Sequence, residues 1–73
     1  MATHKVPGAY DTLIAQLDSQ DPVNRGLAAV NLGALGDRRA LDRLQDLAGD
    51  DSDERVRDAA TRAATNLEVP DNG

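Results

Sequence analysis

The chain has 73 residues and contains no cysteine, tryptophan or phenylalanine, one tyrosine and one histidine. Without thiols there are no disulfide staples, thiolate metal ligands or thiol nucleophiles. The lone histidine, His4, cannot build a structural zinc site by itself. With Tyr10 as the only aromatic residue, there is no platform on which bases could stack. Lysine is nearly absent as well: seven of the eight basic residues are Arg, eleven of the thirteen acidic residues are Asp, and the net charge is −5. That balance repels phosphate backbones and anionic lipid, and so disfavours nucleic-acid and membrane partners. No run approaches the ~18 apolar residues of a membrane span, and the opening MATHKVPGAY has no apolar signal core. A cytoplasmic protein is expected. Strand signals are missing too, since β-branched residues are few and no apolar/polar alternation persists.

Helical periodicity is what remains. Tyr10, Leu13, Ile14 and Leu17 recur at spacings of three and four, which predicts a first helix from Ala9 or Tyr10 to Asp18. Tyr10 is expected to fasten its start to the core. The second helix is the central one, over Asp21 to Leu35. Asp21 can cap its first amides, Pro22 suits the first helical position, and Gly36 follows as the left-handed stop. Ala28, Leu32 and Leu35 fall on one face of this helix, and Val23, Leu27, Val30 and Ala34 on a neighbouring arc. A third helix is predicted from Arg38 to about Ala48 behind Asp37 as its cap. A loop, Gly49 to Asp53, follows, with Asp51 and Ser52 as equally good caps for a fourth helix that runs from about Asp53 to Leu67. Residues 1–8 and 68–73 are expected to be tails.

The second half repeats the first. Leu13 matches Leu44 at a shift of 31; beyond one inserted loop residue the shift is 32, pairing Asp21 with Asp53, Arg25 with Arg57, Ala28 with Ala60 and Leu35 with Leu67. The expected fold is all-α: two helical hairpins, four antiparallel helices, with units at 9–36 and 37–67.

The run DPVNRGLAAVNLGALGDRRAL resembles a HEAT-repeat helix followed by the start of the next repeat. Its short period is that of the subtype also found in phycobilisome bilin lyases. The pattern D-P-x-V-R-x-x-A-A-x-A-L-G-x-L-G-D-x-x-A-L is matched by Asp21, Pro22, Arg25, Ala28, Ala29, Leu32, Gly33, Leu35, Gly36, Asp37, Ala40 and Leu41. The second unit keeps Val56, Arg57, Ala59, Ala60, Ala63 and Leu67. Asn24 and Asn31 depart from the pattern, and Thr65 stands where it has glycine. The resemblance implies a short α-solenoid and a non-catalytic scaffold for protein contacts. It also implies a structural role for Arg25 and Arg57 with the acidic turn residues Asp21 and Asp53. Two other roles known in such proteins are an accessory subunit or chaperone of a bilin-lyase-type enzyme and a nucleic-acid-binding module.

Chemistry finds little foothold. Asp50, Asp51 and Asp53 share a loop but lack calcium-hand spacing, and read as caps and solvated turn residues. Ser19 and Ser52 lie in turns, and His4 has no positioned partner. Gly33 and Gly36 form no phosphate cradle; Gly33 is better explained by close helix packing. The arginines alternate with Asp42, Asp46 and Asp58, the pattern of ion-paired solvated faces. Neither catalytic, cofactor nor metal residues are expected.

One comparison separates the units. Val23 corresponds to Arg55, Val30 to Arg62 and Gly26 to Asp58, so the fourth helix is polar where the second is apolar or small. Either the other helices cover Val23, Leu27 and Val30, or these residues with Ala34 form a strip for a protein partner or a second copy. With so small a core and no covalent staple, docking is the remaining source of added stability.

Overall fold

The computed structural model describes residues 8–68. The first tail is therefore described only at Gly8 and the second only at Glu68; His4 and the rest of both tails lie outside the described residues. Four α-helices follow in order: α1 (Ala9–Gln16), α2 (Pro22–Leu35), α3 (Leu41–Asp50) and α4 (Glu54–Glu68), with a 3-10 turn at Arg38–Ala40 leading into α3. No strand occurs among the described residues.

α2 starts and stops where its sequence says. The Asp21 side chain accepts a hydrogen bond from the Val23 amide at 2.9 Å, and Pro22 opens the helix. Gly36 ends it in the left-handed region at φ 78°, where a residue without Cβ is unstrained. Asp37 caps the 3-10 turn through the Arg39 amide. Several boundaries differ from expectation: α1 ends at Gln16 rather than Asp18, and the first three residues of the expected third helix form the 3-10 turn instead. α3 continues through Gly49 to Asp50, because Gly49 keeps a helical backbone and the chain turns only at Asp51, whose extended ψ of 140° breaks the helix. The cap of α4 is neither Asp51 nor Ser52: the Asp53 carboxylate accepts from the Arg55 amide at 2.8 Å. Asp51 is occupied elsewhere.

The core is built from small and medium side chains. Ala28, Ala29, Leu32, Ala40, Leu44 and Ala60 are fully enclosed, and Leu17, Ala63, Ala64 and Leu67 nearly so. Tyr10, Leu13 and Ile14 pack against this cluster from α1, and the Arg39 guanidinium lies over the Tyr10 ring 4.1 Å from its centre. The broadest helix contacts are α2 with α4 and α3 with α4; α1, only eight residues long, buries none of its residues completely. Close approach of α2 and α4 depends on Gly33. A Cβ added there would lie 2.9 Å from Ala63 Cβ and 3.0 Å from Ala63 Cα.

The departures from the repeat pattern sit where nothing packs. Asn24 and Asn31 are exposed, whereas their counterparts Val56 and Ala63 are buried between α4 and α2. Thr61 and Thr65 are exposed, whereas their counterparts Ala29 and Gly33 face α4 or the core. At these positions the outward residue is polar and its inward counterpart small or apolar. A helix could not approach Thr65 as closely as α4 approaches Gly33.

Candidate functional site

Of the two readings of the second arc of α2, the structure supports exposure. Val23, Leu27 and Val30 are 54%, 56% and 52% exposed, and among the described residues they are the large hydrophobic side chains left open to solvent. Ala34 is exposed as well. The reason is angular. At ~100° per residue, the strip lies about a quarter turn from Gly26 and Gly33, which face α4, and well away from Ala28 and Leu32, which face the core. Neither α1 nor α4 crosses that arc.

Beside the strip runs a shallow open groove of about 250 Å³ between α2 and α4. Pro22, Val23, Gly26, Leu27 and Val30 form one wall; Arg55, Val56 and Ala59 form the other. Val56 is 1% exposed and makes the floor. Arg55, Val56 and Ala59 in the first half of α4 line the groove with residues of the first part of α2, and Gly33 lies close against Ala63 further along both helices, so α2 and α4 run in the same direction. Arg55 and Ala59 thus stand across the groove from Val23, Leu27 and Val30, and Arg62 follows Arg55 two turns along the same side of α4.

The charge at this face differs from that of the whole chain. α2 carries no carboxylate anywhere along its length. On α4, Arg55 and Arg62 are 77% and 79% exposed and stand two turns apart. Each pairs only with a neighbour in its own segment, Arg55 with Asp53 and Arg62 with Asp58, both at 3.2 Å. The Arg55 side chain and amide together hold the Asp53 carboxyl below the usual carboxylate range. These exposed pairs are individually weak.

A second polar cluster ties the two units together. Arg25 grips Asp51 with two hydrogen bonds, Nε at 2.7 Å and Nη2 at 3.0 Å, and donates from Nη1 to the Ser19 carbonyl at 2.8 Å. Arg57 repeats the last contact, donating from Nη1 to the Asp51 carbonyl at 2.7 Å. Arg25 and Arg57 were expected to pair with Asp21 and Asp53, but their hydrogen bonds run to the Asp51 carboxylate and to the Ser19 and Asp51 carbonyls. Asp21 and Asp53 spend their side chains on helix caps, and Asp51 is the carboxylate that spans the units. Asp51 is likewise no solvated turn residue: its side chain is 6% exposed. Its hydrogen bonds from Arg25 and then from the Asp53 amide hold its carboxyl below the ordinary 3.8, and the same bond raises the Arg25 guanidinium. Sequence reasoning missed this pair because the matched position in the first unit is Ser19. That mismatch was the available signal: an Asp gained in one unit only needs a partner from the other.

The remaining arginines behave as expected of solvated faces, with Arg39 on Asp37 and Arg43 on Asp18. Among the described residues no group of three His, Asp or Glu side chains is placed to hold a metal ion, and no helix is long and apolar enough to cross a membrane.

A family model described as HEAT repeats matches residues 1–65. No curated protein and no solved structure matches the chain.

Proposed function

The chain belongs to the HEAT-repeat family, and from that premise we propose that it works as a non-catalytic protein-binding or scaffolding module, docking through the face of α2 that carries Val23, Leu27, Val30 and Ala34. Repeats of this kind generally mediate protein–protein contacts. The observation that carries the reading is the row of three half-exposed aliphatic side chains at helical spacing on an otherwise polar surface. Burying three such side chains is worth about 4–9 kcal/mol at ~1.5–3 each when they start fully exposed. Starting half-exposed they yield about half of that, and association entropy then takes its share. A reversible contact of modest affinity follows.

A chromophore or other small ligand fits less well. The groove is open and smaller than the ~300–1,000 Å³ of ordinary ligand sites, so it would leave most of a tetrapyrrole in water. Nucleic acid fits less well too, since the chain carries a net charge of −5 and Tyr10, its one aromatic ring, is covered by Arg39 away from the groove.

The test is a differential capture. Wild-type protein and the Val23→Arg/Val30→Arg variant are used as baits in the native lysate, and proteins retained by the first alone are purified and rebound directly. Asp46→Lys, on the solvated side of α3, serves as the control. Equal retention by wild type and the strip variant, with helicity intact in both, would remove α2 as the docking surface.

A further inference from the structure

The groove between α2 and α4 has a chemistry that narrows its occupant, and we propose that it receives an acidic amphipathic helix of a partner protein. The proposal rests on the protein-binding reading above and specifies its partner. Both walls are helices whose backbone groups are satisfied internally, so there is no open edge on which an extended strand could pair. The anchors Val23, Leu27 and Val30 follow each other at four and three residues, the spacing with which one helix presents a seam to another. Val23 and Val30 are separated by about 10.5 Å along the axis, and so are Arg55 and Arg62. A helix laid in the groove would meet the apolar row and Arg55 together, with Arg62 two turns further along the same side of α4.

Charge selects the sign of that helix. The chain carries thirteen carboxylates against eight cations, yet the groove is lined without a single carboxylate. Asp58, which pairs with Arg62, projects from the side of α4 turned away from α2, and Glu54 shares that side. Arg55 and Arg62 keep most of their surface in water and hold their own partners at 3.2 Å, longer than the other ion pairs among the described residues. A carboxylate arriving beside the apolar row can share either guanidinium without stripping a buried pair.

A second copy of the chain fits worse. α2 laid against α2 brings no carboxylate to the arginine row, because α2 has none. The area is also short: a stable interface takes ~800 Å² from each partner, about a sixth of the 4864 Å² surface here, and three half-exposed aliphatic side chains supply only a small part of it.

The experiment uses the full chain and a fluorescein-labelled synthetic helix as long as α2, 14 residues, with leucines spaced four and three apart and glutamates flanking them. A twin peptide carries lysines in place of the glutamates. By anisotropy, wild type should bind the glutamate peptide about tenfold more tightly than the lysine peptide at low salt. Added salt should close the gap. Arg55→Glu/Arg62→Glu should invert the preference, and Leu27→Asp should abolish binding of both peptides while helicity is kept, since Leu27 is 56% exposed. Equal affinity for the two peptides, or no binding of the glutamate peptide, overturns the acidic-helix proposal. The protein-binding reading is judged separately, by the Val23→Arg/Val30→Arg capture. Concentration-dependent sedimentation of the chain alone, lost in Leu27→Asp, would assign the groove to a second copy and also overturn the proposal. Binding of a labelled DNA duplex that needs the arginines but not Leu27 would do the same.

Discussion

Two glycine-to-alanine substitutions in one helix should act with opposite sign. Gly26 and Gly33 both lie inside α2, where replacing glycine by alanine lowers the entropy cost of the helix by about 1 kcal/mol. At Gly26 a new Cβ has no atom within 4 Å, so Gly26→Ala should gain most of that amount. At Gly33 the new Cβ would lie 2.9 Å from Ala63 Cβ and 3.0 Å from Ala63 Cα. Neither atom is the loose end of a side chain, so α2 and α4 must move apart across their broadest contact. Overpacking of this kind costs about 1–3 kcal/mol, and with backbone in the way the upper half of the range applies. The helix gain offsets part of it, leaving Gly33→Ala about 1–2 kcal/mol less stable than the parent. The two variants should therefore differ by about 2–3 kcal/mol, a large fraction of what a chain this small holds in total. Urea unfolding followed by helical circular dichroism, with the slope checked for constancy, measures the difference. If Gly33→Ala is stabilised as much as Gly26→Ala, the close packing of α2 on α4 is wrong.

Leu32→Ala removes a side chain with no exposure from the middle of the core and should cost about 2–5 kcal/mol in the same assay; a midpoint equal to the parent's would contradict the placement of α2. The strip variant Val23→Arg/Val30→Arg changes only half-exposed positions and should stay within about 0.5 kcal/mol of wild type, as surface substitutions do, so unfolding of that variant would make the strip part of the core. Acid should weaken the fold through Asp51 and Asp53. Both carboxyls are held below their ordinary 3.8 in the folded chain, so the stability they contribute is whole well above that value and drains as pH falls through it. Asp51→Asn should already be less stable at neutral pH and should lose less than wild type between about pH 5 and about pH 2; parallel pH profiles would exclude Arg25–Asp51 as a contributor.

Local rules were enough for the elements and for the repeat. Asp21, Pro22 and Gly36 set the limits of α2 through capping and φ preference, which act within a few residues and can be read from them. The shift of 32 residues, carrying Arg25 onto Arg57 and Ala28 onto Ala60, already implied two equivalent hairpins and the all-α solenoid, because equal patterns bury equal faces. Where α3 ends was another matter. Gly49 looks like a stop, but the chain turns at Asp51, whose carboxylate is drawn to an arginine 26 residues earlier. The fate of Val23, Leu27 and Val30 was also beyond the sequence. Periodicity places them on one side of α2, but whether that side is covered depends on where α1 and α4 cross it. That crossing is set by a contact between Gly33 and Ala63, distant in sequence and only ångströms wide. The tertiary structure alone decided that the strip faces solvent, with Arg55 across the groove from it.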